Sequence, residues 1–261
     1  KGTKMIDIHA HILPDLDDGS EDMEESLEMA ELAVESGVEI MTATPHSNQM
    51  GRFENFQSEQ LQTAFERLRM VLKKEKIPLK ILNGMEIFAS EDIAQKIKNK
   101  QLSGINGTDY YLVEFPFDAD PWWIRECLED IFDTGKIPLI AHPERYFCIQ
   151  DYPELIYEWV QNGCVTQMNK GSILGRFGRN VMETARILLR NDLISCIASD
   201  AHRSYIRTPH MGEAKKALVH IGGYGYAWHL TDENPERIIK NIQIPLHGRR
   251  PERRKKYFMP V

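Results

Sequence analysis

Short apolar runs rich in β-branched residues recur along the chain and alternate with segments that carry an apolar residue every three or four positions. The first pattern indicates buried strands and the second indicates amphipathic helices, of which residues 22–36 and 58–76 are the clearest. We predict seven strands, at residues 5–8, 39–44, 80–82, 110–115, 137–141, 165–168 and 193–198. Regular alternation of strands with helices predicts a parallel sheet covered by helices.

A closed barrel and an open, doubly wound sheet both fit this alternation. Side chains of the metal-binding types help to decide, because six of the seven predicted strands end at or just before one. They are His9, His11, His46, Glu86, Glu114, His142, Asp200 and His202. In a barrel these strand ends meet around one mouth, where barrel enzymes place their chemistry, whereas an open sheet would spread them along a line. We therefore predict an α/β barrel of the TIM type.

Composition and charge narrow the class of protein. A hydrophobic content of 42% and a charged content of 27% are typical of a soluble globular protein, and 261 residues suit a single barrel. The net charge of −7 argues against nucleic acid as the main partner. Residues 249–256 carry six Lys/Arg and one Glu, a local +5, so the rest of the chain carries −12. We predict one domain at residues 1–247 and a basic tail at residues 248–261, which touches a membrane at most peripherally.

The cysteines exclude two further classes. No C-x-x-C pair occurs among Cys127, Cys148, Cys164 and Cys196, so neither a zinc knuckle nor a dithiol redox motif is expected. No arginine follows any of them by six residues, which excludes the C-x5-R loop of cysteine-based tyrosine phosphatases. Free thiols suit a reducing compartment, and the sequence has no secretory leader and no run of 18 apolar residues. We predict a cytoplasmic protein.

The candidate ligands form a pattern that single residues would not establish. His9 and His11 alternate on one side of a strand, and Glu86 and Glu114 lie in apolar strand sequence, where an unpaired carboxylate costs several kcal/mol. With Asp18 in the acidic turn after the first strand, nine candidates accumulate. The mixture of imidazole and carboxylate suits Mn, Fe or Zn, and nine groups exceed the needs of one ion. Clusters of this kind hydrolyse phosphate esters.

Five motifs together resemble the PHP superfamily, the polymerase and histidinol phosphatase group. They are DIHAHILPDLDDGS at 7–20, GMEI at 84–87, HPERY at 142–146, ASDAH at 198–202 and RTPHM at 207–211. Within it they resemble one branch, the capsule-type manganese-dependent protein-tyrosine phosphatases of low-GC Gram-positive bacteria. The resemblance spans residues 5–243.

The resemblance implies a distorted seven-stranded β/α barrel and three Mn²⁺ ions, with Fe or Zn as alternatives. It implies His9, His11, Glu86 and Asp200 around one ion; Glu86, Glu114 and His142 around a second; and Asp18, His46 and His202 around the third. Arg145 and Arg207 would bind the phosphate and serve catalysis, and Phe53, in the loop at residues 49–56, would contact the substrate. The implied partner is a phosphotyrosine-containing bacterial tyrosine kinase that controls capsular or exopolysaccharide synthesis.

The same ligand pattern also fits other functions. A PHP phosphatase acting on a small ester such as histidinol phosphate would carry the same ligands, and so would a PHP nuclease, although the acidic body disfavours the latter. A non-catalytic metal-binding docking protein would not need two phosphate-binding arginines. The apolar residues 257–261 could pack on a neighbouring copy of the chain, which would make the protein a homo-oligomer.

Overall fold

The computed structural model describes residues 4–252, in which every named strand pairs in parallel with its neighbours. The strands are β1 (Met5–Ala10), β2 (Val38–Ala43), β3 (His46–Ser47), β4 (Lys80–Asn83), β5 (Glu86–Phe88), β6 (Tyr110–Glu114), β7 (Ile137–Ala141), β8 (Val165–Asn169) and β9 (Cys196–Ala198). They form two sheets, in the orders β1-β2-β4 and β3-β5-β6-β7-β8-β9.

Two of the seven predicted strands, at residues 39–44 and 80–82, are each followed after a break by a short second strand that was not predicted. Thr44 and Pro45 separate β2 from β3, and Gly84 and Met85 separate β4 from β5. Because β2 pairs with β4 and β3 pairs with β5, both breaks occur at the same level of the sheet. Proline has no N–H for a ladder, and a Cβ on Gly84 would lie 2.7 Å from Thr42 Cγ2, so a small residue is required there. If β2 with β3 and β4 with β5 are each counted as one position, the named strands occupy seven positions.

Backbone hydrogen bonds close these positions into a ring. The segment after β9 contacts β1 through Asp200 N to His9 O at 2.9 Å and His11 N to Ala201 O at 2.8 Å. Ala10 and Ala201 form an isolated parallel bridge. The prediction of an α/β barrel is thus confirmed, with the distortion located at the two strand breaks.

The helices lie between successive strand positions, except the last two, which follow β9. They are α1 (Met23–Glu35), α2 (Glu59–Lys74), α3 (Ile93–Lys98), α4 (Pro121–Phe132), α5 (Phe147–Asp151), α6 (Glu154–Gln161), α7 (Lys170–Ile173), α8 (Arg179–Arg190), α9 (Gly212–Trp228) and α10 (Asn234–Ile239). The two helices predicted at residues 22–36 and 58–76 are found at Met23–Glu35 and Glu59–Lys74. Asp22 caps α1 by accepting from Glu25 N at 2.9 Å, and Ser58 caps α2 by accepting from Leu61 N at 3.1 Å. Pro121 is the first residue of α4, a position that needs no N–H donor.

Two apolar clusters support the ring. The larger lies between strands and helices and includes Met29, Phe65 and Leu188. The smaller takes a residue from every strand position and therefore lies inside the ring, where α10 covers it; its members include Ile6, Ile40, Leu82, Leu112, Leu139, Val165, Cys196 and Ile238. This packed interior leaves the carboxyl ends of the strands as the place for polar chemistry.

The beginning of the predicted tail contacts the body of the protein. Arg249 N donates to Asn191 O at 2.8 Å, and Arg250 Nη2 lies 3.0 Å from Glu158 Oε1. Most of the predicted basic tail, residues 253–261, lies outside the described residues. The division after residue 247 therefore stays a prediction. Within residues 4–252, no helix is both long enough and apolar enough to span a membrane. All four cysteines are free thiols.

Candidate active site

Two histidines at the end of β1 are held so that one nitrogen of each points to the same place. His9 Nδ1 lies 2.9 Å from Gln167 Oε1, and His11 Nδ1 lies 2.7 Å from Asp17 Oδ2. Since both partners accept hydrogen bonds, both rings carry the proton on Nδ1. Their Nε2 atoms lie 3.3 Å apart and offer lone pairs to a cation when the rings are neutral, and outer partners of this kind are typical of metal-binding imidazoles.

Glu86, the first residue of β5, lies at the centre of the cluster. Its Oε1 is 3.0 Å from His142 Nε2 and 3.2 Å from His9 Nε2. Its Oε2 is 3.0 Å from His46 Nδ1 and 3.2 Å from His11 Nε2, but forms no hydrogen bond of good geometry. One buried carboxylate therefore faces four imidazoles and keeps an unsatisfied oxygen among them.

The pKa values of these groups reflect the burial and the crowding. Burial by itself would raise the pKa of Glu86, but the charges on His9 and His46 hold that pKa well below its usual range. Burial lowers the pKa of His142 to about 4, so this ring stays neutral at physiological pH, in the form that binds metals. Burial, followed by the charge of Glu86, raises the pKa of Glu114 to about 8. Two carboxylates this close favour a cation between them.

Asp200 follows β9 and faces the histidines from the opposite side. Its Oδ1 lies 3.4 Å from His9 Nε2 and 3.5 Å from His11 Nε2. Its Oδ2 accepts from Asn169 Nδ2 and from Arg207 Nη2, at 2.5 Å each. The residue has a φ of 49°, and non-glycine residues adopt this left-handed conformation mainly where the surrounding structure imposes it.

The outer part of the cluster surrounds Asp18. Both His46 Nε2 and His202 Nε2 lie 3.4 Å from Asp18 Oδ1. His46 also reaches Glu114, with Nδ1 3.7 Å from its Oε2. His46 therefore uses its two nitrogens on two different parts of the site.

The nine predicted ligands all lie in this one cluster. Among residues 4–252, three groups bring their ligand atoms within 4.8 Å of one another; they are His9, His11, Glu86 and Asp200; His46, Glu86 and Glu114; and His11, Asp18, His46 and His202. The first group matches the set implied by the resemblance, the second has His46 in place of His142, and the third adds His11 to the implied set. His142 contacts both glutamates, with Nε2 3.6 Å from Glu114 Oε1. The donor set and the unsatisfied Glu86 Oε2 fit divalent ions such as Mn, Fe or Zn.

Two arginines reach the cluster from the mouth of the barrel. Arg207 contacts Asp200 Oδ2 directly, and Arg145 Nη1 lies 3.8 Å from the same oxygen. The guanidinium of Arg145 lies between the rings of Phe117 and Phe177, with Cζ 4.3 Å and 4.7 Å from their centroids. Stacking holds the planar fork in one orientation, which suits bidentate recognition of an oxyanion.

The two arginines and all the candidate ligands except His9 and His11 line a cavity of about 280 Å³. Glu86, His142 and Asp200, each at most 2% exposed, lie deepest, and the apolar wall consists of Phe88, Phe115, Pro116 and Phe117. Gln49 and Arg52 represent the loop that follows β3, whereas the ring of Phe53 stacks on His46, at 5.6 Å between centroids and an interplanar angle of 7°. Arg52 is therefore placed to contact the substrate where Phe53 was predicted to do so. The phenylalanines of the apolar wall were not predicted.

Four residues that support the site were also not predicted as functional. Asp17, Gln167 and Asn169 orient His11, His9 and Asp200. The signal for Gln167 and Asn169 was the position of two amide side chains within or directly after a predicted buried strand. Glu144 is fully buried, accepts from Ser172 Oγ at 2.6 Å and Asn169 N at 3.0 Å, and has its pKa raised to about 7 by burial.

Comparison with known proteins assigns the family. The chain matches the model "Capsular polysaccharide synthesis, CpsB/CapC" over residues 5–240. It is 39% identical over 254 residues to the tyrosine-protein phosphatase YwqE of Bacillus subtilis, covering 97% of this chain and 99% of YwqE. It is 34% identical over 245 residues to the tyrosine-protein phosphatase CpsB of Streptococcus agalactiae, covering 92% and 100%.

Solved structures agree with this assignment. A chain from the crystal structures of YwqE from Bacillus subtilis and CpsB from Streptococcus pneumoniae, described as unique metal-dependent tyrosine phosphatases, superposes with a TM-score of 0.89 at 38% identity, covering 96% of this chain and 100% of that one. The phosphotriesterase homology protein of Escherichia coli gives a TM-score of 0.60 at 12% identity over 92% and 99% of the two chains, a likeness of fold alone. This protein belongs to the CpsB/CapC family, as its motifs predicted.

Proposed function

We propose that this protein is a metal-dependent protein-tyrosine phosphatase of capsular or exopolysaccharide synthesis. The observation that carries the proposal is the meeting of Arg145 and Arg207 with the buried histidine and carboxylate cluster in one cavity. Relatives that align over nearly the whole chain are named tyrosine-protein phosphatases, which supports the same reaction here.

We propose three ions with Mn²⁺ as the physiological metal, and Fe or Zn as alternatives. Glu86 would be shared between two ions, because its two oxygens face different histidines. His46 is a candidate ligand for the second ion as well as the third, beside His142 and His202. Bound ions would supply Lewis acidity to the phosphoryl oxygens and would acidify water.

The remaining steps belong to side chains of this protein. Arg145 and Arg207 would hold the non-reacting oxygens of the phosphate, with Arg145 kept in place by its two phenylalanines. Phe88, Phe115 and Phe117 would contact the tyrosyl ring and exclude water around the deep polar groups. A guanidinium already oriented in the free protein loses less entropy on binding and lowers the barrier further.

The substrate would be a phosphotyrosine-bearing protein, for which we propose a bacterial tyrosine kinase that controls polysaccharide synthesis. We propose that residues 1–247 form the catalytic domain and residues 248–261 a basic tail, supported by the family match over residues 5–240. The acidic charge of −12 outside residues 249–256 disfavours a nucleic-acid substrate. We place the reaction in the cytoplasm, where such a kinase domain would be phosphorylated.

Metal analysis combined with rates on four substrates tests the proposal. Free phosphotyrosine, a phosphotyrosine peptide, a phosphoserine peptide and histidinol phosphate would be compared at equal metal content. We expect turnover of both phosphotyrosine substrates, with kcat/KM well above that for phosphoserine. Preference for histidinol phosphate would identify a small-ester phosphatase instead. If the metal-loaded protein hydrolyses none of the four substrates, it would instead be a non-catalytic metal-binding docking protein.

A further inference from the structure

A second groove, of about 500 Å³, opens directly beside the catalytic cavity. It is lined by Phe117, Arg145, Phe147, Gln150, Phe177, Gly178, Arg179, Asn180 and Val181. Phe117 and Arg145 belong to both the groove and the cavity, so these two residues form the shared wall. A polypeptide whose phosphotyrosine enters the cavity has to leave it across the rim, and this groove continues from the arginine that faces the phosphate.

The groove offers aromatic surface. The exposed fraction of Phe147 is 58%, and its N–H donates to Phe117 O at 2.8 Å, which ties α5 to the shared wall. Phe177 contributes the outer face of the stack around Arg145. A Cβ on Gly171 would lie 2.7 Å from Phe177 Cε2, so glycine at this position allows the ring to lie where it does. Exposed aromatic groups around an arginine are typical of protein recognition surfaces.

The charge of the groove is positive, in contrast to the acidic body. Its lining has two arginines and neither aspartate nor glutamate. The side chain of Arg179 is 86% exposed, and its Nε pairs with Glu183 Oε1 at 2.7 Å. Aromatic surface next to positive charge complements a peptide that has apolar or aromatic and acidic residues close together.

We propose that this groove binds the substrate residues that flank the phosphotyrosine on one side, and that it selects acidic residues next to an apolar or aromatic one. The inference rests on the phosphatase activity proposed above and adds a substrate class to it. Arg179 and Phe147 line the groove but not the catalytic cavity, so they act as specificity-determining residues for peptides and not for free phosphotyrosine.

The test compares the ratio of kcat/KM for a peptide to kcat/KM for free phosphotyrosine. Two peptides would carry a phenylalanine within three residues of the phosphotyrosine, flanked by either glutamates or lysines. The unsubstituted protein should favour the glutamate peptide by about fivefold at low salt, and less at high salt. Arg179→Glu should remove or reverse this preference, and Phe147→Ser should lower the peptide ratio for both peptides.

Matched controls separate the groove from general surface effects. Arg125 forms the same helical i,i+4 pair with Glu129, also at 2.7 Å, and Met70 is 66% exposed on α2. Arg125→Glu and Met70→Ser should keep the peptide preference. Equal ratios in the unsubstituted protein and in Arg179→Glu would overturn the groove assignment while leaving the phosphatase in place. Failure to hydrolyse free phosphotyrosine would instead contradict the proposed function.

Discussion

His9 Nδ1 lies 2.9 Å from Gln167 Oε1, a hydrogen bond between two buried side chains that the chain separates by 158 residues. It sets the ring so that Nε2, and not Nδ1, faces the cluster. Gln167 is itself held by Asn169, to whose Oδ1 its Nε2 donates at 2.9 Å. The side chains of β8, a strand that supplies no candidate ligand, thus orient candidate ligands from β1 and from the segment after β9.

The first prediction follows from this contact. Gln167→Leu keeps the volume but removes the acceptor, so His9 should lose its fixed tautomer. Metal affinity should fall roughly 10- to 100-fold, as is usual when an outer partner is lost. Titration with Mn²⁺, followed by activity and by calorimetry, measures it. Excess Mn²⁺ should restore much of the turnover, and an unchanged dissociation constant would contradict the orienting role.

Glu86 should be among the least replaceable residues. Glu86→Gln preserves volume but removes the charge that both oxygens present to four imidazoles. We expect turnover to fall at least about a hundredfold, together with bound metal per protein. Kinetics and elemental analysis on the same sample provide the measurement. Wild-type values for both would mean that Glu86 does not bridge two ions.

Removal of metal should abolish turnover at neutral pH. Burial and then the charge of Glu86 raise the pKa of Glu114, so the deep carboxylates need cations to be held together in their charged form. After chelation and buffer exchange, Mn²⁺ should restore activity better than Mg²⁺, which prefers oxygen ligands to imidazole. Full activity in a sample shown by elemental analysis to be metal-free would exclude the metal-dependent reaction.

Arg145 should act on the phosphate and not on the metal. Arg145→Ala should lower kcat/KM by about 10² or more while metal content stays constant, because loss of a positioned charged donor removes transition-state stabilisation. Arg145→Lys should recover only part of the loss, since a point charge neither stacks between Phe117 and Phe177 nor binds with two donors.

Arg207 should behave in the same way. Its contact with Asp200 Oδ2 makes metal content the decisive control for Arg207→Ala. Loss of metal in this variant, or in Arg145→Ala, would show that the arginine supports the metal cluster instead of the substrate.

The reaction should proceed without a cysteine nucleophile. Burial raises the pKa of Cys127 to about 12 and that of Cys148 to about 11, and it raises those of Cys164 and Cys196 still further, so none is a thiolate at neutral pH. Direct transfer to water should invert the configuration of a chiral phosphorothioate ester in ¹⁸O-water. Replacement of all four cysteines by Ser or Ala should keep activity in any variant that folds. A trapped phosphoenzyme, or retained configuration, would contradict this mechanism.

The sequence by itself determined the class of fold and the identity of the candidate ligands. Strand and helix periodicities are local, so alternation of the two predicted a parallel α/β architecture, and the helices predicted at residues 22–36 and 58–76 match α1 and α2. The strand-end candidates could be placed around one mouth in advance because parallel strands bring their carboxyl ends to one edge. The assignment of His9, His11, Glu86 and Asp200 to one ion came from the family resemblance. The five motifs predicted the family, which the comparisons confirm.

Only the tertiary structure decided how those residues are shared and supported. His46 contacts Glu86 through Nδ1 and Asp18 through Nε2, a double role that depends on the break between β2 and β3. Arg145 stacks on Phe177, 32 residues further along the chain, and Phe53 packs on His46 instead of lining the cavity. Contacts of this kind depend on side-chain orientation and on packing between distant elements. No local period in the sequence encodes them, because they arise only once the ring has closed.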